Sequence, residues 1–299
     1  DSLLCFVIKC ITQNSNNKLT IWNFPSVNEY FTINNKSVIW SYDISYDNRI
    51  IVFNDYYGTI YIFSLISKKI IKEIKTNFFL IQVKITNKVD RILSIVNKTD
   101  ILNISLYPKF IYNIVKKHQI IITEYQIYEP KEIYITCSLD YKLKISNLKN
   151  NQDIKVINNF QPYISKIIFN ADNFYTVSLD DEIKEWCLKN YKFKKYLNLD
   201  INFIFDIKFK NKNTIIFSNN NQEIIQKRLD INDEKRLSIR RYPEQLEFCK
   251  NHKLLYLDND GVIFYRGKKV IKSDILKFNN IEIKKDNLNI FDSHWTELN

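Results

Sequence analysis

A short apolar pattern, which ends in a bulky residue before a polar turn, recurs through the chain at a nearly constant interval. Its first copy is Lys18-Leu19-Thr20-Ile21-Trp22-Asn23. The positions that align with Trp22 are 63, 104, 146, 186, 227 and 265, so successive copies lie 41, 41, 42, 40, 41 and 38 residues apart. A period of about 40 residues built from strands alone is typical of propeller blades. The sequence therefore predicts an all-β fold, a seven-bladed β-propeller over residues 1–273.

Each copy is predicted to hold four antiparallel strands. In the second copy these are Val38–Ser45, Arg49–Phe53, Thr59–Leu65 and Lys69–Lys75. The inner strands are strongly apolar because neighbouring blades cover both of their faces. The outer strands alternate with lysine, which discourages pairing of a sheet edge with another chain.

The turn before each third strand carries Asp or Asn, whose side chains hydrogen-bond to nearby backbone groups. We interpret this column of turn residues as structural, although its spacing could be mistaken for a ring of acidic catalytic groups. Its members are Asn16, Asp55, Asn97, Asp140, Asp180, Asn221 and Asn259.

The two ends of the repeat array are predicted to close the ring together. Residues 3–12 match the second strand of the first blade, so the inner strand of that blade is missing from the front of the sequence. Either a short N-terminal piece supplies that strand, or the C-terminal tail does. The tail, residues 274–299, is predicted to form a closing strand or a short helix.

The net charge of +11 favours contact with an acidic partner such as nucleic acid, although lysines spread over solvated loops give the same total. Candidate contacts to RNA or to an acidic partner are the most densely basic residues, Lys235, Arg236, Arg240 and Arg241. The alternative is a solvated outer strand. The five cysteines include no C-x-x-C pair, which argues against a disulfide framework or a zinc site and favours a reducing compartment. No apolar run reaches the roughly 18 residues of a membrane span.

Several kinds of chemistry are not predicted. Three glycines cannot form a phosphate-binding loop, and the three histidines lie far apart in the sequence, which argues against a metal site or a histidine-based triad. We therefore predict a protein that is not an enzyme and that uses no cofactor, no metal and no small-molecule substrate. The stretch from Tyr191 to Tyr196 alternates aromatic and basic residues. That pattern suits base stacking, and it suits an outer strand equally well.

The repeats resemble WD40 blades, although only Trp22 and Trp186 keep the tryptophan and no copy keeps the Gly-His dipeptide. Within that superfamily, the chain resembles subunit i of eukaryotic translation initiation factor 3. The stretches that carry this resemblance are residues 2–9 with 19–22, 38–43, 72–77, 177–181, 220–223 and 258–261. The glycines that the family has before Gln222 are absent, and Tyr242-Pro243-Glu244 stands where the family has Gly-His.

This resemblance implies a non-catalytic, cytoplasmic scaffold. It implies that the protein anchors subunit g and the C-terminal helix of subunit b on the small ribosomal subunit, with rRNA as a further contact. Partner-binding positions are then Asp200, at the link into the sixth blade, and Gln222 and Glu223 in the sixth-blade turn. A role in the turn alone remains the alternative for the last two residues. A scaffold subunit of a ribosome-assembly complex, or of another ribonucleoprotein complex, also remains open, because the net charge favours it.

Overall fold

The computed structural model describes residues 8–14, 17–24, 28–45, 47–107, 110–158, 160, 163–197, 199, 203–231, 233–239, 243–248, 254–258, 262–265 and 268–272. In this part of the chain the regular structure consists of 27 β-strands and one short 3-10 turn, Glu129–Lys131. The strands form seven antiparallel sheets, one with three strands and six with four. Within every sheet the strands follow chain order, so each sheet is a meander of consecutive strands.

The chain divides into two compact units. The first unit comprises Asp1–Ile39, Tyr46–Asn48 and Ile204–Asn299, and it contains sheets 1, 6 and 7. The second unit comprises Trp40–Ser45 and Arg49–Phe203, and it contains sheets 2 to 5.

The sheets of the first unit have the following strands. Sheet 1 contains β1 (Ile8–Asn14), β2 (Lys18–Phe24) and β3 (Asn28–Asn34). Sheet 6 contains β20 (Ile204–Asn211), β21 (Thr214–Asn219), β22 (Glu223–Arg228) and β23 (Glu234–Ser238). Sheet 7 contains β24 (Pro243–Phe248), β25 (Leu254–Asp258), β26 (Val262–Tyr265) and β27 (Lys268–Lys272).

The four sheets of the second unit have four strands each. Sheet 2 contains β4 (Ile39–Ile44), β5 (Ile50–Asp55), β6 (Thr59–Ser64) and β7 (Lys69–Lys75). Sheet 3 contains β8 (Leu80–Ile85), β9 (Arg91–Val96), β10 (Asp100–Ser105) and β11 (Ile111–Lys116). Sheet 4 contains β12 (Ile122–Tyr128), β13 (Ile133–Ser138), β14 (Lys142–Asn147) and β15 (Asp153–Ile157). Sheet 5 contains β16 (Ile164–Asn170), β17 (Asn173–Ser178), β18 (Ile183–Cys187) and β19 (Phe193–Leu197).

The strand pairing confirms the register of the repeat. The third and fourth strands slip by one residue immediately before Trp22, Phe63, Ser146 and Trp186, which are four of the aligned positions. Such a slip is a β-bulge, a local feature that bends and twists the strand. In sheet 7 the slip precedes Phe264, one residue before the predicted position 265.

Sheet 1 has three strands in the described part of the chain. Its first strand is β1, which pairs with β2 from Ile8 opposite Phe24 to Asn14 opposite Lys18. The strand therefore extends beyond residue 12, where the prediction ended it. The predicted tail, residues 274–299, lies outside the described residues.

The core of the second unit lies between neighbouring sheets. Between sheets 2 and 3, buried Val52 and Ile62 belong to the same apolar cluster as Val83 and Ile92. Equivalent clusters join sheet 3 to sheet 4 and sheet 4 to sheet 5. The inner strands are therefore covered on both faces, as predicted, and burial of this apolar area is the main stabilising term.

Two buried carboxylates link the first strands of neighbouring sheets. Asp43 in β4 accepts hydrogen bonds from the N–H of Ile44 at 2.7 Å and from the N–H of Ile85 in sheet 3 at 2.7 Å. Asp206 in β20 makes the same link to sheet 7, where the N–H of Leu246 donates at 2.8 Å. The same device thus occurs in both compact units.

Candidate partner-binding surface

The structure places Gln222 in the turn between β21 and β22, and Glu223 directly after it as the first residue of β22. Gln222 has a φ of 60°, in the left-handed region. The Glu223 N–H donates to Asn219 Oδ1 at 3.1 Å, and the Glu223 carboxylate accepts from Asn219 Nδ2 at 3.0 Å. These bonds hold the turn closed, so Glu223 has a structural role there.

Lys235 and Arg236 lie in β23, the outer strand of the same sheet. The Arg236 guanidinium donates to Glu234 Oε1 at 2.6 Å and to Glu223 Oε2 at 3.3 Å. The structure therefore brings together two residues that the sequence assigned to different contacts. Burial, together with the nearby charge of Lys235, lowers the pKa of Lys210. Asp200, Arg240 and Arg241 lie outside the described residues.

Two members of the Asp and Asn column, Asp55 and Asp140, accept hydrogen bonds from the backbone of their turns. The Asp55 carboxylate accepts from the N–H groups of Tyr57 at 3.0 Å and Thr59 at 2.8 Å. In sheet 6 this role belongs to Asn219, which accepts from the N–H of Asn221 at 3.0 Å. The prediction that Asn221 is the turn-holding residue of sheet 6 is therefore wrong by two positions. The side chain of Asn219, at the end of β21, already reaches the turn.

The corresponding turn residue of sheet 4, Asp140, contacts a buried histidine, His118, which lies in the link between β11 and β12. His118 Nδ1 lies 3.1 Å from Asp140 Oδ1, and His118 Nε2 lies 2.8 Å from Thr136 Oγ1. Nδ1–H therefore donates to the carboxylate and Nε2 accepts from the hydroxyl. Burial lowers the pKa of His118 despite the nearby carboxylate. Burial alone would raise the pKa of Asp140, but the Gln119 N–H and the His118 ring hold it below its ordinary value.

The stability of the protein should consequently fall as the pH drops below about 6.5, the ordinary pKa of histidine. In that range the unfolded chain takes up a proton at His118 that the folded chain resists, and the slope from one such group is at most about 1.4 kcal/mol per pH unit. Urea unfolding at pH 7.5, 6.5 and 5.5 measures this loss. A His118→Gln variant should show a shallower dependence on pH, whereas an unchanged slope would contradict the assignment.

One end of the sheets in the second unit is rich in exposed aromatic residues. In a four-stranded meander, the start of the first strand and the turn between the second and third strands lie at the same end. A recurring hydrogen bond joins them: Asn97 N–H donates to the Phe79 carbonyl at 3.1 Å, and Leu179 N–H donates to the Tyr163 carbonyl at 3.0 Å. Leu139 and Ile121 repeat this bond in sheet 4.

We call this surface the aromatic end. Its exposed apolar side chains are those of Trp40, Tyr56, Tyr57, Ile120, Ile121, Tyr141, Tyr163, Leu179 and Phe203. Tyr57 is 74% exposed and Leu179 is 66% exposed. Large apolar side chains gathered on one surface mark interaction sites more often than isolated ones do.

The rings of sheet 2 are held in place by packing and by the turn beneath them. Trp40 contacts Phe79 edge-on, with ring centroids 5.4 Å apart, and lies 6.4 Å from Tyr56. Gly58 closes the turn with a φ of 77°, and a Cβ atom at this position would lie 1.9 Å from the Phe78 carbonyl oxygen. Glycine is therefore required in the turn that carries Tyr56 and Tyr57.

The stretch from Tyr191 to Tyr196 was a candidate for base stacking. Phe193 packs edge-on against Trp186 at 5.6 Å and lies 4.9 Å from Tyr196. Lys194 Nζ is 2.7 Å from Glu185 Oε1. These contacts fit an outer strand with its rings packed on the sheet, and base stacking remains an untested alternative.

The residues of the aromatic end were missed in the sequence. A signal was present, because Tyr56, Tyr57 and Tyr141 fall inside or beside the predicted turns, where polar residues are the rule. Among the described residues, no group of three or more His, Cys, Asp or Glu side chains gathers in a way that would hold a metal ion.

No protein-family model matches the chain, and no curated protein sequence matches it. Among solved structures, the chain is similar to the β-propeller domain of Cps50 (Swd1) from Myceliophteria thermophila, with a TM-score of 0.70. The two are 10% identical, and the alignment covers 85% of this chain and 91% of that one. At this identity the likeness shows the fold alone.

The fold is that of a β-propeller built from antiparallel sheets, which confirms the predicted fold class. The resemblance to the initiation-factor subunit rests on the short sequence motifs alone. In the part of the chain that the structure describes, no helix has the length and apolar character needed to cross a membrane.

Proposed function

We propose that this protein is a non-catalytic scaffold subunit of a multi-subunit complex and that it binds a partner protein through the aromatic end. The observation that supports this is a set of eight exposed apolar side chains at one end of sheets 2, 4 and 5, joined by that of Phe203, whose N–H donates to Asp181 in the turn of sheet 5. Interface cores are enriched in Tyr, Trp and Phe, and six of the side chains at the aromatic end are of these types. Backbone hydrogen bonds tie Ile121 and Tyr163 to the neighbouring turns of their sheets, which lowers the ordering entropy that opposes binding.

The rim of the aromatic end suits a partner helix with a basic face. Asp180 is exposed next to Leu179, and Glu182 lies two residues further on, 2.9 Å from Lys184 Nζ. A helix that placed apolar residues on the rings would bring its flanking lysines and arginines near these carboxylates. Complementary charges of this kind contribute mainly to orientation and association rate.

We further propose that the complex is eukaryotic translation initiation factor 3, with this chain in the role of subunit i in the cytoplasm. The motifs at residues 38–43 and 177–181 support this assignment. Its partners are then subunits b and g and the small ribosomal subunit, with Asp200, Gln222 and Glu223 as additional contacts. Glu223 would exchange its bond to Arg236 for one to the partner.

The second candidate function is a scaffold in a ribosome-assembly or other ribonucleoprotein complex. The net charge of +11 favours it, as do Lys235 and Arg236 on an outer strand. Binding through phosphate contacts would weaken steeply with salt, whereas binding through the aromatic end would not.

Affinity purification of the full-length protein from its native cells, with and without nuclease, distinguishes these functions. Mass spectrometry should recover subunits b and g, and the recovery should survive nuclease and 300 mM salt. Recovery of ribosome-assembly factors that nuclease removes would support the second candidate. Recovery of no stable protein partner under either condition would overturn the scaffold proposal.

A further inference from the structure

The outer strand of sheet 3, β11, differs from the other outer strands. It pairs with β10 along its whole length, from Ile111 opposite Ser105 to Lys116 opposite Asp100. On its other side no strand is hydrogen-bonded to it in the described part of the chain. Alternate N–H and C=O groups of such a strand point outward and are ready to pair with a further strand.

The sequence of β11 lacks the charges that protect the other edges. It reads Ile-Tyr-Asn-Ile-Val-Lys, so a charged residue appears only at its last position. Each of the other outer strands carries at least one charged residue before its last position: β3, β7, β15, β19, β23 and β27. Charged side chains on an edge strand are a common protection against pairing with another chain, and β11 lacks this protection.

Both faces of β11 are open to solvent. Tyr112 and Ile114 point to one face and are 57% and 37% exposed, while Ile111 points to the other and is 48% exposed. A helix laid against this strand would cover one face and leave the outward backbone groups unpaired. An added strand would satisfy the backbone and contact side chains on both faces.

The strand is also anchored, so it is a fixed template. Lys117 and His118, which follow it directly, are both buried. Lys117 Nζ donates to Ser146 Oγ at 2.9 Å and to the Asn151 carbonyl at 2.7 Å. His118 N–H donates to the Thr99 carbonyl at 3.1 Å. A pre-organised edge binds a partner with less loss of entropy than a mobile one.

The charge around β11 indicates the chemistry of the partner. Lys72 of the neighbouring outer strand places its Nζ 3.7 Å from the Phe110 ring centroid, beside the start of β11. Lys116 ends the strand, and β7 carries Lys69 and Lys75 as well as Lys72, against a single carboxylate, that of Glu73. A second copy of this chain would bring another net charge of +11 to a basic surface. An acidic partner is favoured instead.

We propose that β11 is a docking edge for an extended segment of a partner protein that alternates apolar and acidic residues and adds to sheet 3 as a fifth strand. This site shares no residue with the aromatic end and does not depend on the function proposed above. Binding there is sequence-tolerant, because the main-chain bonds supply affinity and the alternating side chains supply the selection.

The test uses the full-length protein and a synthetic ten-residue peptide of alternating valine and glutamate, capped at both ends. We expect binding with a Kd below about 1 mM, together with slower amide exchange in residues 111–116. The same peptide with an N-methyl group on every residue should lose at least about ten-fold in affinity, because neither of its backbone edges can then donate to β11.

Matched variants locate the site. Ile114→Lys should weaken peptide binding at least about ten-fold, because it gives β11 a charged side chain of the kind that the other outer strands carry. If this variant folds poorly, Tyr112→Lys tests the same point. Ile154→Lys, on the equally exposed outer strand β15, should leave the affinity within about two-fold. The proposal would be overturned if Ile154→Lys weakened peptide binding as much as Ile114→Lys does. It would also be overturned if the N-methylated peptide bound with equal affinity, or if the unmodified peptide did not bind at 1 mM. So would self-association through β11, seen as a dimer that Ile114→Lys dissociates.

Discussion

Replacing Tyr57 and Leu179 together with aspartate should abolish retention of the protein partner while leaving the propeller folded. Both side chains are largely exposed, at 74% and 66%, so their loss removes little from the folded core. In a complex, each aspartate would place a charge in a desolvated apolar contact. Hot-spot residues of this type contribute about 2 kcal/mol or more, so the pair should lower the affinity by roughly three orders of magnitude.

The matched control for this variant is Ile66→Asp. Ile66 is 71% exposed, but it lies in the turn between β6 and β7, at the opposite end of sheet 2. Affinity for the recovered partner should stay within about three-fold of the wild-type value, and thermal unfolding should be unchanged in all three proteins. If Ile66→Asp weakened binding as much as the double variant, the aromatic end would not be the docking surface.

The blades themselves were predictable because their signals are local. The run Ile50-Ile51-Val52-Phe53 predicts a strand covered on both faces, and β5 is such a strand, with Ile51, Val52 and Phe53 fully buried. It continues to Asp55 because Asn54 also pairs across the sheet, with Ile60. Alternation, apolar runs and Asp or Asn turns all act within a few residues of one another.

The aromatic end was not predictable in this way, because exposure depends on contacts between sheets. Trp186 and Trp40 are the same residue type, yet the first is 6% exposed and the second is 41% exposed. The Trp186 ring stacks on Phe174, with centroids 5.9 Å apart, inside the cluster between sheets 4 and 5. Trp40 lies near the start of its strand, where it contacts Phe79 and Tyr56 at the rim of that core.

The candidate site in sheet 6 shows a related difficulty. Glu223 was assigned to a partner helix and Arg236 to RNA or an acidic partner, as separate contacts. The pairing of β22 with β23 places Ile225 opposite Arg236, and the guanidinium thereby reaches Glu223. The register of a hairpin follows from the pairing of both strands and from the length of its turn, which inspection of either strand alone does not provide.

Replacing Asp43 with alanine should destabilise the protein by about 3–5 kcal/mol. The change removes two short hydrogen bonds to a buried carboxylate, and each such bond contributes about 1.5–3 kcal/mol. It also leaves the N–H of Ile85 without its acceptor in a buried position. The midpoint of thermal unfolding should fall by roughly 6–15 °C, which calorimetry or circular dichroism measures directly.

Two further variants test whether the loss of stability in Asp43→Ala comes from the link between neighbouring sheets. Asp206→Ala should cost a similar amount, because that carboxylate makes the equivalent link from sheet 6 to sheet 7. Asp172→Ala, at an exposed aspartate in the turn between β16 and β17, should change the unfolding free energy by less than about 0.5 kcal/mol. A small effect at Asp43 would mean that a neighbouring group or water replaces the carboxylate as acceptor.

The Asp43→Ala variant also tests whether the motif at positions 38–43, which supports the resemblance to the initiation-factor subunit, takes part in binding. Asp43 is the last residue of the motif at positions 38–43, and in this structure it joins two neighbouring sheets. Asp206 performs the same task outside that motif, so an aspartate at this position is a device for joining blades. We therefore expect Asp43→Ala to lower stability while the affinity of the folded fraction for its partner stays within about two-fold. A large loss of affinity in the folded fraction would instead show that this part of the motif takes part in binding.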